Sequence, residues 1–181
     1  MNDKIIKAVK TLAVGLIFVM VNLELEYKTM RFNVIPQFPG YFLIYLASKD
    51  LFEGEKAKRY GVLAMVCFFV SLLSFTAGLM GSKLGVVGIV IDMIHLLGSM
   101  LLMFVVFHRL SEIAIEAENE KAVFFRVIMV GYIATYIAQY LTGILFQSQV
   151  IYEFLGMILL ILIIFALVMV FRFARELERM V

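Results

Sequence analysis

Asp92 and His95 are the residues of this chain whose types and spacing best suit chemistry. Three positions apart on a helix, a carboxylate and an imidazole share one face, close enough for the acid to orient the ring. A proton or cation relay would use such a pair, with His95 titrating near neutral pH and Asp92 tuning it. A metal site needs more than two protein ligands, so it would have to borrow a Glu or His from another helix or a second protomer. Acid–base catalysis on a lipid-soluble substrate is a third use. The plainer alternative is a buried structural hydrogen bond from this pair to Ser71, Tyr132, Thr135 or Tyr136. Ionisable groups inside a membrane segment are costly and tend to mark ion or proton pathways, so among functional roles an Asp92/His95 ion or proton site leads, with the structural hydrogen bond weighed at least equally beside it.

The stretch that must position them runs from Gly81 to Arg109, GSKLGVVGIVIDMIHLLGSMLLMFVVFHR. From Leu84 to Phe107 it is apolar for long enough to cross a bilayer, which takes about 20 residues of helix. Gly81, Gly85, Gly88, Asp92, His95 and Ser99 recur at spacings of three and four, so the small and polar residues share one stripe. His95 falls near the middle of the span.

Composition sets the class. The chain has 181 residues, 64% of them hydrophobic and only 17% charged, with a mean hydropathy of +1.01. Soluble domains are about half apolar and about a quarter charged, so this is an integral membrane protein whose first partner is the lipid bilayer. A formal charge of +2 gives no reason to expect a nucleic-acid partner. The single cysteine, Cys67, rules out an intrachain disulfide. The opening MNDKIIKAVK-TLAVGLIFVMV resembles a signal peptide, but no small-x-small cleavage site follows it, so it reads as an uncleaved first helix.

Six spans are expected, in one all-α transmembrane domain over residues 1–181: about 5–23, 35–52, 60–80, 84–107, 122–146 and 150–171. The second is short and led by Pro36 and Pro39, which a first helical turn tolerates. With six spans and both termini cytoplasmic, only Lys28, Arg31 and Lys83 of the 16 basic residues lie outside, as the positive-inside rule prefers. A re-entrant second segment would export the basic N-terminus instead. Gly81-Ser82-Lys83 and Gln147-Ser148-Gln149 are short enough to make hairpins of helices three with four and five with six. SEIAIEAENEK should extend helix four into the cytoplasm, and RFARELERMV should extend helix six.

Other helices carry stripes of the same kind. Ala64, Cys67, Ser71, Ser74 and Gly78 repeat the spacing in helix three; Tyr132, Tyr136, Gln139 and Gly143 repeat it in helix five, with Thr135 and Thr142 beside them. Small residues let membrane helices approach closely, and Ser, Thr and Gln can bond across the contact. Helices three, four and five are therefore expected to form the core, with Ser71, Ser99, Tyr132, Thr135, Tyr136 and Gln139 lining a pathway. Helix six, apolar all round except for Gly156 and Ala166, should face lipid. Asn22, Glu24 and Glu26, in the loop after helix one, would make an acidic outer mouth. No protease-type GxSG, phosphate-binding glycine loop or zinc spacing occurs, and no particular cofactor is indicated.

The segment NVIPQFPGYFLIYLASKDL, after a helix ending in NLELEY, resembles the opening hairpin of small uncharacterised polytopic membrane proteins of Gram-positive bacteria. Their I-P-x-F-x-G-Y-x-L-I run matches Ile35, Pro36, Phe38, Gly40, Tyr41, Leu43 and Ile44, while Gln37 and Pro39 depart from the usual acidic and aliphatic residues. The match covers about a quarter of the chain. It implies a bacterial plasma-membrane location and a real second span, and no activity.

The expected function is that of an oligomeric channel or transporter, since six helices barely enclose a pathway and glycine stripes offer contact faces for a second copy. Two other classes compete. One is a membrane-embedded enzyme acting on a lipid or quinone. The other is a non-catalytic subunit or sensor whose residues 111–121 and 172–181 bind a cytoplasmic protein.

Overall fold

A computed structural model describes residues 3–21, 24–27, 30–79, 85–142 and 149–180, with the backbone alone at 24–27, 30–33, 85, 86, 89, 92 and 140. The elements are α1 (Asp3–Met20), β1 (Glu24–Tyr27), β2 (Met30–Asn33), α2 (Phe38–Leu51), α3 (Gly54–Leu79), α4 (Gly85–Glu116), α5 (Lys121–Leu141) and α6 (Gln149–Arg179). Helices α3, α4, α5 and α6 are each long and apolar enough to cross a membrane. The chain is thus a multi-pass, predominantly helical membrane protein. At 1.5 Å per residue, α1 reaches about 27 Å and α2 about 21 Å, against a hydrocarbon thickness of about 30 Å.

The loop expected after α1 is in part an antiparallel hairpin. Strand β1 pairs with β2, Glu24 opposite Asn33 and Tyr27 opposite Met30. Its signal was the period-two alternation of charged or polar with apolar residues in ELEY and MRFN. The turns expected at Gly81-Ser82-Lys83 and Gln147-Ser148 lie outside the described residues, as does Gly143.

The helices gather into two compact units, residues 1–102 and residues 103–180, and α4 runs through both. In the first unit α1 packs along α2, α2 along α3, and β2 lies against α3. Val9, Leu12, Ala13 and Leu16 of α1 are fully buried there, with Tyr41, Ile44 and Ala47 of α2 and Ala64 and Cys67 of α3. The expectation that helices three, four and five make the core is therefore corrected for this unit. The reason is steric: Gly15 and Gly40 let α1 and α2 come closer than any side chain would allow. A Cβ on Gly40 would stand 2.5 Å from the Gly15 carbonyl oxygen and 2.7 Å from Val19 Cγ2. The α2–α3 connection is equally tight, turning at Gly54 with φ +54°, a left-handed conformation that favours glycine.

In the second unit α5 packs on α6. Phe107 and Leu110 of α4, Phe125 of α5, and Val170, Phe173 and Leu177 of α6 are buried to 2% exposure or less. Phe125 and Phe173 meet edge to face at 5.3 Å. Helix α6 is not wholly lipid-facing as expected. Leu159, Ile163, Ala166, Val170, Phe173 and Leu177 form a buried stripe, while Ile161, Ile164 and Val168 stay exposed. An apolar surface on every side offers no periodicity from which that stripe could be read.

Helix α4 does continue through Ser111 to Glu116 and then stops. The Asn119 amide donates to the Ala114 carbonyl at 2.8 Å and the Glu118 amide to Ile115 at 3.0 Å. Glu118 takes the left-handed position at φ 50°, which completes a Schellman end without the usual glycine.

Candidate functional site

The site begins with the residues that set α2 in place. Pro39 occupies the first turn of α2, where its missing N–H costs no hydrogen bond. The buried Gln37 side chain donates through Nε2 to the Val19 carbonyl at 3.3 Å, satisfying one of the orphan acceptors at the end of α1. Gly40 then closes on Gly15, and Tyr41 follows at 1% exposure. A buried phenol needs a polar partner, and Tyr41 has one: its hydroxyl lies 3.0 Å from His95 Nε2 on α4. The rings meet edge to face, centroids 5.6 Å apart.

His95 is half-buried. One turn further along α4, Gly98 admits the Cys67 sulfur of α3 to within 3.0 Å of where a Cβ would stand. His95 and Gly98 thus face inward within the first unit. The hydroxyl of Ser99, the neighbouring residue of the expected stripe, donates to its own helix, to the Leu96 carbonyl at 2.9 Å. Ser71 is buried on α3. Asp92 stands one turn before His95 on α4; its side chain lies outside the described atoms.

Neutral His95 that carries its proton on Nδ1 accepts the Tyr41 O–H at Nε2. Protonated His95 donates from Nε2 instead, so the phenol must turn its own hydrogen elsewhere. The direction of this hydrogen bond therefore follows the tautomer and the charge of His95.

The α5 candidates form a set of their own in the second unit. Tyr132 and Tyr136 stack with centroids 5.9 Å apart, and Tyr132 is buried while Thr135 and Tyr136 are half-buried. Gln139 Nε2 would be 3.2 Å from a Cβ on Gly156 of α6, so this amide sits against the neighbouring helix at its glycine. For the expected outer mouth, Asn22 lies outside the described residues. Glu24 and Glu26 fall on β1, opposite Asn33 and Arg31 in register. Among the described residues no three His, Cys, Asp or Glu side chains gather to hold a metal ion.

Two features escaped the sequence reading. One is Tyr41, whose signal was a lone phenol within an apolar run. The other is a polar cluster where α4, α5 and α6 meet in the second unit. There Lys121 Nζ pairs with Glu176, and Asn119 Nδ2 donates to Glu176 at 2.9 Å. Asn119 Oδ1 accepts from the Lys121 amide at 3.0 Å. Arg126 Nε donates to Ser111 Oγ at 3.0 Å, and Ser111 donates to the Ala122 carbonyl at 3.1 Å. The Lys121 ammonium, then the Asn119 amide, hold the Glu176 carboxyl below the usual carboxylate range. These groups join the ends of the helices.

Comparison with protein families, with curated proteins and with solved structures gave no match to this chain.

Proposed function

We propose that this chain is a small channel or transporter that moves protons or a cation, with Asp92 and His95 as its intramembrane site and Tyr41 as a third member. The observation that carries the reading is the 3.0 Å contact between the buried Tyr41 hydroxyl and His95 Nε2. An imidazole bonded to a phenol within an apolar helix can take up and release a proton with only a hydroxyl rotation, and Asp92 stands one turn away on the same helix. On this reading the α1–α2 pair crosses the bilayer as a unit, giving six crossings with both termini in the cytoplasm of a bacterial cell, and copies of the chain associate in the plasma membrane. Ser71, Ser99, Tyr132, Thr135, Tyr136 and Gln139 remain the candidates for the pathway, with Asn22, Glu24 and Glu26 at its outer mouth.

The test is proton and cation flux into proteoliposomes made with monodisperse protein. Wild type should dissipate an imposed gradient, and Asp92→Asn and His95→Gln should each lower the rate at least about tenfold, the effect of roughly 1.4 kcal/mol on the limiting barrier. Tyr41→Phe should keep flux but change its pH profile. Absence of flux from well-folded wild type under proton, sodium and potassium gradients would remove transport and leave the enzyme and subunit readings.

A further inference from the structure

A groove of about 570 Å³ opens between α2 and α3 in the first unit, and its chemistry changes along its length. One end carries Lys49 and Lys58, while the other is walled by Val62, Met65, Val66 and Phe69. Gly61 keeps the floor low, since a Cβ there would meet Ser48 Oγ at 3.3 Å and the Tyr45 ring at 3.4 Å. The Lys49 ammonium stands over the Tyr45 ring at 4.6 Å, and Arg59 takes up Glu55 at 3.2 Å. No ion pair engages Lys49 or Lys58 among the described residues. The apolar wall is open to the surroundings, with Val62 and Phe69 both more than half exposed.

We propose that this groove holds an anionic phospholipid, its phosphate between Lys49 and Lys58 and one acyl chain along Val62, Val66 and Phe69. Length supports that occupant: Lys58 and Phe69 are separated by about 16 Å of helix, close to one leaflet's share of a hydrocarbon core about 30 Å thick. Charge supports it too, because two ammonium groups with no ion pair among the described residues, at the level where the chain turns polar, attract an anionic headgroup over a zwitterionic one. The proposal requires only that the chain is embedded in a bilayer, so it stands or falls separately from transport at His95.

The chain contains no tryptophan, so Phe69→Trp supplies a single tryptophan, excited selectively over the tyrosines, at the tail end of the groove. The protein is reconstituted into phosphatidylcholine vesicles with a rising fraction of either dibrominated phosphatidylglycerol or dibrominated phosphatidylcholine, the bromines lying midway along the chains. Quenching by the phosphatidylglycerol should be favoured by about 30-fold in relative binding constant, the effect of two lysines at a membrane surface. Adding Lys49→Gln and Lys58→Gln to the Trp variant should bring the two lipids to parity. Phe154→Trp, on an exposed face of α6, should show no preference. Equal quenching in the single variant, a preference that survives loss of both lysines, or an equal preference at Phe154→Trp would each overturn the proposal.

Discussion

The two units solve helix packing in opposite ways. In the first, α1 and α2 touch backbone to backbone at Gly15 and Gly40, and the polar side chains placed there are few and specific: Gln37 on the Val19 carbonyl, Tyr41 on His95. In the second, the helices are held by bulk, with Phe107, Phe125 and Phe173 in the centre and the Asn119–Lys121–Glu176 cluster at the helix ends. Close backbone contact leaves no slack, which suits a unit that must hold one imidazole against one phenol. Packing by large side chains tolerates small changes but depends strongly on each ring.

That contrast can be broken by substitution, most sharply in the second unit. Phe173→Ala removes a fully buried ring from an edge-to-face pair and should lower stability by about 4 kcal/mol. The loss would be read as a fall in the thermal unfolding midpoint of the detergent-solubilised protein, and a change below about 1 kcal/mol would mean that the second unit is not held by its rings. In the first unit, Gly40→Ala forces a methyl against the Gly15 carbonyl, and backbone cannot yield as a side chain can. A loss of about 3 kcal/mol is expected. Gly131→Ala is the matched control, because a Cβ there meets only Leu162 methyls at 3.6 and 3.7 Å, an ordinary contact. It should leave the midpoint almost unchanged.

Smaller effects sharpen the picture at the helix ends. Glu118→Gly relieves a left-handed residue at the end of α4 and should raise stability by about 1 kcal/mol. A destabilised variant would show that the Glu118 side chain matters more than its backbone. Glu176→Gln should have the smallest effect, under about 1 kcal/mol, since its side chain is about one third exposed and the pair is screened. Its pH dependence has a definite sign. The folded carboxyl titrates below its unfolded value, so its contribution is complete above the ordinary carboxylate range and disappears as pH falls through the lowered folded value. The gap in midpoint between wild type and Glu176→Gln should therefore shrink on acidification from about pH 7 to about pH 3; a gap that widened would contradict the lowered titration.

Much of the architecture was legible from local pattern. Long apolar runs marked α3 to α6, and the acidic SEIAIE segment did prolong α4. The small-residue spacing in α3 correctly picked Ala64, Cys67 and Ser71 as an inward face. The same logic applied to α4 selected Ser99, whose hydroxyl bonds within its own helix, while its neighbour Gly98 stands against Cys67 of α3. A stripe of mixed glycine and polar residues is wide enough that spacing alone leaves the contact line undetermined by one position. The hairpin β1–β2 was missed although its alternation was present, because two four-residue strands between helices carry little weight against a run that also reads as a polar loop.

Membrane embedding and the location of the ionisable pair were decided by the sequence alone, since hydropathy sums over residues wherever they end up and Asp92 and His95 are neighbours on one helix. The partner of His95, the central place of α1 in the first unit and the buried side of α6 were decided only by tertiary structure. Tyr41 and His95 are 54 residues apart, and what brings them together is the crossing of α2 and α4 within the first unit. That crossing is a property of two surfaces fitting, which no local spacing encodes.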